Sequence, residues 1–157
     1  MRKAFILVAV ASLIVLTSVA FLVARGGLAA ANGSRTVHVI EHALTDTVVD
    51  VGPQGDSRGD LLAFANPVFD PADKKQVGHD SGNCVRTDPG KLFECNWTTF
   101  LDGGQITVEG PFFDSGADSV LSIIGGTGIY RDAHGQMTLH ARGNPLGSEF
   151  DFIFSLN

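Results

Sequence analysis

From Thr36 to the C-terminus the chain alternates apolar and polar residues with a period of two, and no stretch after Ala31 repeats at helical spacing. That alternation excludes a helical bundle or a helix-covered parallel sheet. It recurs in eight runs: residues 36–45, 60–66, 75–86, 91–100, 105–112, 118–124, 135–142 and 149–156. The first puts Val37, Val39, Glu41 and Ala43 on one face, and the second groups Leu62, Phe64 and Asn66. The last sets Phe150, Phe152, Phe154 and Leu156 against Asp151, Ile153 and Ser155. The run 118–124 is apolar on both faces, which predicts a doubly buried strand.

Between the runs lie Asp88-Pro89-Gly90, Asp102-Gly103-Gly104, Asp114-Ser115-Gly116 and Gly143-Asn144-Pro145, all strong turn chemistry. Gly125-Gly126-Thr127-Gly128 reads as a further tight turn, since neither a Lys-Ser/Thr nor a helix pattern follows it as a phosphate loop requires. Asp46 to Gly59, with Gly52-Pro53-Gln54-Gly55 inside it, reads as a loop. Eight short strands suit a β-sandwich or a closed barrel. Tight hairpins favour closure, because a closed sheet has no exposed edge. The expectation is therefore an all-β fold, an eight-stranded antiparallel closed barrel, with room inside for packed side chains or one small ligand.

The N-terminus has another pattern. Arg2 and Lys3 precede an uncharged apolar run from Ala4 to Ala24, and Ala29-Ala30-Ala31 follows. This is the order of a secretory signal with cleavage after Ala31. The run is also nearly long enough to span a bilayer, so an uncleaved anchor over residues 4–24 is the alternative. Either reading predicts a secreted or externally anchored domain over residues 32–157, with membrane contact only through the N-terminal segment. All 17 acidic residues follow Ala31, with eight of the 11 Lys and Arg. The resulting formal charge near −9 lacks the basic footprint of a nucleic-acid binder.

Two cysteines in an exported chain tend to pair. If Pro89 and Gly90 are the central turn residues, Cys84 falls opposite Cys95 on antiparallel strands, where a disulfide fits. The other reading is a free Cys84 lining a pocket. His38-Val39-Ile40-Glu41-His42 matches a zinc-protease pattern, but that pattern needs a helix. On a strand the two histidines stand about 13 Å apart, too far to share one metal. Asn32-Gly33-Ser34 and Asn96-Trp97-Thr98 fit the N-glycosylation acceptor pattern. Glu41 shares its face with Val37, Val39 and Ala43. Turned inward, its carboxyl would sit in apolar surroundings with a raised pKa and could act as a base or stabilise developing charge. Turned outward, it is merely solvated.

Several segments carry a resemblance: Gly59 to Asn66, Phe69-Asp70, Lys74 to Gly78, Ser81 to Val85, Gly104 to Pro111, Ile124 to Tyr130 and Gly135 to His140. In this order they resemble plant allene oxide cyclases. The Gly-Gly-Thr-Gly-Ile-Tyr segment is similar to one in dirigent proteins. The resemblance implies an eight-stranded antiparallel barrel with an apolar cavity, often a homotrimer, using no metal or organic cofactor. It implies an isomerase that guides ring closure of a small apolar substrate largely by conformational restraint. A lipocalin-like binder and a dirigent-type auxiliary that steers radical coupling are the alternatives. By the same resemblance Glu41 acts electrostatically on the substrate and Asn66 holds a water at its oxygen. Phe64 shapes the wall, and Cys84 is a cavity cysteine. Two positions depart from the cyclases. Ala43 stands where they carry a second Asn, and the region near Val49-Asp50 lacks their Ser-Pro.

Overall fold

A computed structural model describes residues 34–143 and 148–157. The signal or anchor over residues 1–31, its cleavage site and most of the Gly143-Asn144-Pro145 turn lie outside the described residues. So does most of the Asn32-Gly33-Ser34 sequon.

Ten strands occur in chain order: β1 Arg35–His42, β2 Thr47–Val49, β3 Leu61–Phe64, β4 Pro67–Phe69, β5 Gln76–Asp88, β6 Leu92–Leu101, β7 Gly104–Phe113, β8 Ser119–Gly128, β9 Gly135–Ala141 and β10 Glu149–Leu156. Their pairings are antiparallel. The sheet order β2-β3-β5-β4-β1-β10-β9-β8-β7-β6 closes through β5–β6. β2 pairs with β3, while β1 pairs with β4. Chain-adjacent β1 and β2 form one interrupted stave, and β3 and β4 form another, so ten segments make the expected eight-stave barrel.

Alternation decides what the barrel contains. Phe150, Phe152, Phe154 and Leu156 all point inward, with Phe152 and Phe154 at 1% exposure or less. They meet Val39, Trp97, Ile106, Val108, Leu121, Met137 and Leu139 in one core. Burying each large side chain contributes roughly 1.5–3 kcal/mol, so this face alone fixes the register.

Three expectations need correction. Thr47–Val49, assigned to a loop, is β2; three residues are too short for alternation to be seen. The rest of that loop is organised by Asp60, whose carboxylate accepts from the Val51 and Ser57 amides at 3.0 and 2.7 Å. Ser119–Gly128 is buried on one face only, with Val120 and Ile124 about half exposed, because no described residue packs outside the barrel there. Gly125–Gly128 is strand, not turn, and pairs with β7; the chain reverses over residues 129–134. Gly126 is needed because a Cβ there would overlap the Tyr130 and Gln105 carbonyls. Gly128, at φ 61°, supplies the left-handed residue that ends β8.

Cys84 and Cys95 form a disulfide at the cross-strand position that the Asp88-Pro89-Gly90 turn sets. The Cys84→Ala/Cys95→Ala double variant is expected to lose ~2–3 kcal/mol in chemical denaturation, as a short closed loop implies. A change below about 0.5 kcal/mol would show that the β5–β6 hairpin already restricts the unfolded chain.

Candidate functional site

The two interrupted staves break beside each other, at residues 43–46 and 65–66. A gap in a ladder leaves main-chain N–H groups without strand partners. Asn66, fully buried, supplies them. Its Oδ1 accepts from the Leu44 and Thr45 amides, both at 2.9 Å, and from Thr45 Oγ1 at 3.0 Å. Its Nδ2 donates to Glu41 Oε1 and Asp46 Oδ1, both at 2.8 Å. Its main chain exchanges hydrogen bonds with Asp80, and its N–H also reaches Asp80 Oδ1 at 3.1 Å. Both amide protons are thus committed. In this arrangement Asn66 orients Glu41 and has no N–H left for a water or a substrate oxygen.

Glu41 faces inward at 5% exposure, and Asp80 at 0%. Burial pushes the Glu41 carboxyl well above the usual carboxylate range, and the Asp80 charge beside it pushes further. Burial likewise raises Asp80, to about 7, against the hydrogen bonds that it receives from Asn66 and Glu41. Two buried carboxyls in contact cannot both ionise, so near neutral pH they hold a proton between them. Asn66 fixes one oxygen of each carboxyl as an acceptor, Glu41 Oε1 and Asp80 Oδ1. Asp80 Oδ2 is buried and receives no hydrogen bond from the described residues. The pair holds its proton beside the cavity that Glu41 lines, an arrangement suited to lending a proton to a substrate oxygen.

Glu41 opens on a cavity of about 40 Å³ walled by Leu62, Phe64, Cys84, Cys95, Trp97, Phe112, Leu139, Phe150 and Phe152, with Asp46 at its rim. Phe64 and Phe152 pack on Trp97, and Phe112 meets Phe150 edge to face. The volume accommodates water, whereas a drug-sized ligand needs roughly 300 Å³ or more. Binding such a ligand requires wall side chains to swing aside. Leu62, Phe64 and Phe112, only half-buried, are the ones free to do so.

The structure gathers Glu41, Phe64 and Cys84 around this one cavity, with Asn66 behind Glu41. Cys84 contributes a disulfide sulfur, not a thiol. Ala43 packs against the core and offers no amide to the site. His38 and His42 bind different carboxylates, Asp151 and Asp73, each at 2.8 Å. His42, Asp73 and Glu149 do cluster, but Arg142 already pairs with both carboxylates. Sequence reasoning missed Asp80, Asp46 and Trp97. A signal for Asp80 was present: it shares parity with Gly82 and Cys84, so an inward Cys84 implies an inward Asp80.

The allene oxide cyclase family matches residues 43–154, an interval that begins two residues after Glu41. Among solved structures, a pyocyanin demethylase is 28% identical, with a TM-score of 0.68 over 78% of this chain and all of that one. A pterocarpan synthase dirigent protein is 17% identical, with a TM-score of 0.63 over 78% of this chain and 88% of that one. The Diels-Alderase AbmU from Streptomyces koyangensis is also 17% identical, with a TM-score of 0.63 over 82% of this chain and 72% of that one. At these identities the last two show a shared barrel.

Proposed function

Because this chain belongs to the allene oxide cyclase family, we propose that it binds a small apolar molecule in its barrel and guides an intramolecular ring closure or isomerisation. The observation that carries the reading is the Glu41–Asp80 pair, two buried carboxyls with raised pKa values at the edge of an aromatic cavity. Cyclisation within one molecule needs no co-substrate. Glu41 lends its proton to the oxygen that gains charge, the Asn66 amide that donates to Oε1 stabilises the carboxylate left behind, and repulsion from Asp80 drives the proton back when the product forms. Aromatic walls hold the flexible substrate in a closing conformation, which lowers the entropic part of the barrier. The scaffold is one on which a dirigent protein and a Diels-Alderase are built, which supports a cyclisation-guiding or binding barrel. Export belongs to the same reading, since a disulfide persists in an oxidising compartment.

Native mass spectrometry of protein purified from its own host identifies what the cavity retains. Incubated with wild-type protein, the precursor is expected to yield an isomer of unchanged mass and new retention time. Glu41→Gln keeps the contacts to Asn66 and Asp80 but has no proton to lend. It is expected to bind the precursor and convert it at least ~100-fold more slowly. Conversion at the wild-type rate would end the proposed role of Glu41. Recovery of a bound molecule that wild-type protein never converts would identify a carrier.

A further inference from the structure

The cavity has a floor. In the ring of eight staves β6 and β10 lie four apart whichever way they are counted, so they face each other across the interior. Trp97 on β6 and Phe152 on β10 meet there, with ring centroids 5.4 Å apart, and Phe64 closes on Trp97 from a third stave. Both Trp97 and Phe152 line the cavity and both are buried. The next inward residue along β10, Phe154, and its β9 partner Met137 are wholly buried and line none of it. The interior beyond the Trp97–Phe152 contact is therefore packed core. Glu41 stands just above that contact. It pairs with Phe150, and Val39, the next inward residue toward the floor, pairs with Phe152. One such step is about 7 Å along a strand. Van der Waals contact with a floor ring takes up about 4 Å of it. What remains holds a methyl group and no longer arm. Toward the rim the half-buried Leu62 and Phe112 are free to move, whereas Phe152 is held between Trp97 and Phe154.

We infer that the Trp97–Phe152 pair sets the depth of the site, and that the barrel selects apolar molecules whose reacting oxygen lies at the inserted end, with the rest of the molecule directed to the rim. This deepens the proposed function and rests on it for the claim that an oxygen meets Glu41. A molecule with long apolar arms on both sides of its oxygen cannot bring that oxygen to Glu41 without driving one arm into the packed core, where extra volume is poorly tolerated.

The test titrates wild-type protein by calorimetry with 2-nonanone and with 5-nonanone. These isomers have the same apolar content and differ only in how far the oxygen lies from the chain end, so burial of hydrocarbon alone cannot separate them. 2-Nonanone is expected to bind at least about tenfold more tightly. Phe152→Leu and Phe152→Ala each remove one ring of the floor, and both are expected to shrink the gap to about twofold by admitting 5-nonanone. Equal wild-type affinities, no binding of 2-nonanone, or a gap that persists in a folded Phe152 variant would overturn the inference. The wild-type comparison decides the matter even if neither variant folds. Turnover of the retained precursor separates the two proposals. Preference for the terminal ketone without turnover would remove the catalytic reading and leave the depth limit standing, and turnover without that preference would do the reverse.

Discussion

Asp80→Asn is expected to yield a protein that is more stable than wild type at pH 8, on the order of 2 kcal/mol, yet at least ~100-fold slower in turnover. The two effects share one cause. Asparagine keeps an acceptor for the Asn66 N–H and places an amide donor where the buried Asp80 Oδ2 has no partner. Glu41 then ionises and accepts, so it has nothing to lend. The stability change follows from linkage. Asp80 rises from 3.8 to about 7 on folding, and Glu41 rises well above 4.5. The folded protein therefore holds protons that the unfolded chain has released. Their stabilisation is full below the unfolded pKa values and is lost as pH climbs through the folded ones, at up to about 1.4 kcal/mol per pH unit for each proton. Asp60, Asp70 and Asp73 work in the opposite direction. Hydrogen bonds donated to them hold their pKa values down, so their contribution is present above about pH 4 and fades in stronger acid. Wild-type thermal stability should accordingly peak on the acid side of neutrality and fall toward pH 8. Asp80→Asn should flatten that fall. Denaturation scans at pH 5 and pH 8 check it, and an unchanged slope would show that the two carboxyls do not share a proton.

Asn66→Ala should destabilise the fold by about 3 kcal/mol in urea titration. It strips partners from the Leu44 and Thr45 amides, from Glu41 Oε1 and from Asp46 at once. Asn66→Asp gives the more telling result. It keeps the acceptor for the two amides but adds a carboxyl beside Glu41, Asp46 and Asp80. Its deficit should be small at pH 5, where the introduced carboxyl is protonated and can still donate to Glu41, and large at pH 8. A deficit that is the same at both pH values would reduce Asn66 to a seam filler without electrostatic influence on Glu41.

The barrel could be read from the sequence wherever alternation ran for seven residues or more, as in Glu149–Leu156, because one buried face imposes the pattern. The reading failed where local chemistry was overruled by distant partners. Gly125–Gly128 has turn composition, but Gly126 and Gly128 are there because neighbouring carbonyls, on β7 and at Tyr130 and Gly103, come too close for any side chain. The seam was invisible because Ala43 and Ala65 continue the alternation across the break between the strands. At the site, Glu41 and Asn66 were legible through the family resemblance, and Cys84 with Cys95 through turn geometry. The inward turn of Asp80 was legible only through its parity with Cys84, and its meaning was not, since that depends on a carboxyl 39 positions earlier in the chain.

The shared proton also bears on how such a barrel can diverge. A lone change at Glu41 to an apolar residue strands the Asp80 carboxylate, and a lone apolar change at Asp80 removes the partner that holds the Glu41 proton. Each single step leaves a buried polar group without its partner. Descendants with a different reaction must therefore alter the two positions together, or pass through an amide intermediate such as Asp80→Asn that keeps the interior satisfied. The Phe64 and Phe112 walls carry no such coupling. Under the proposed function, substitutions there change what the cavity accepts one residue at a time without disturbing the carboxyl pair.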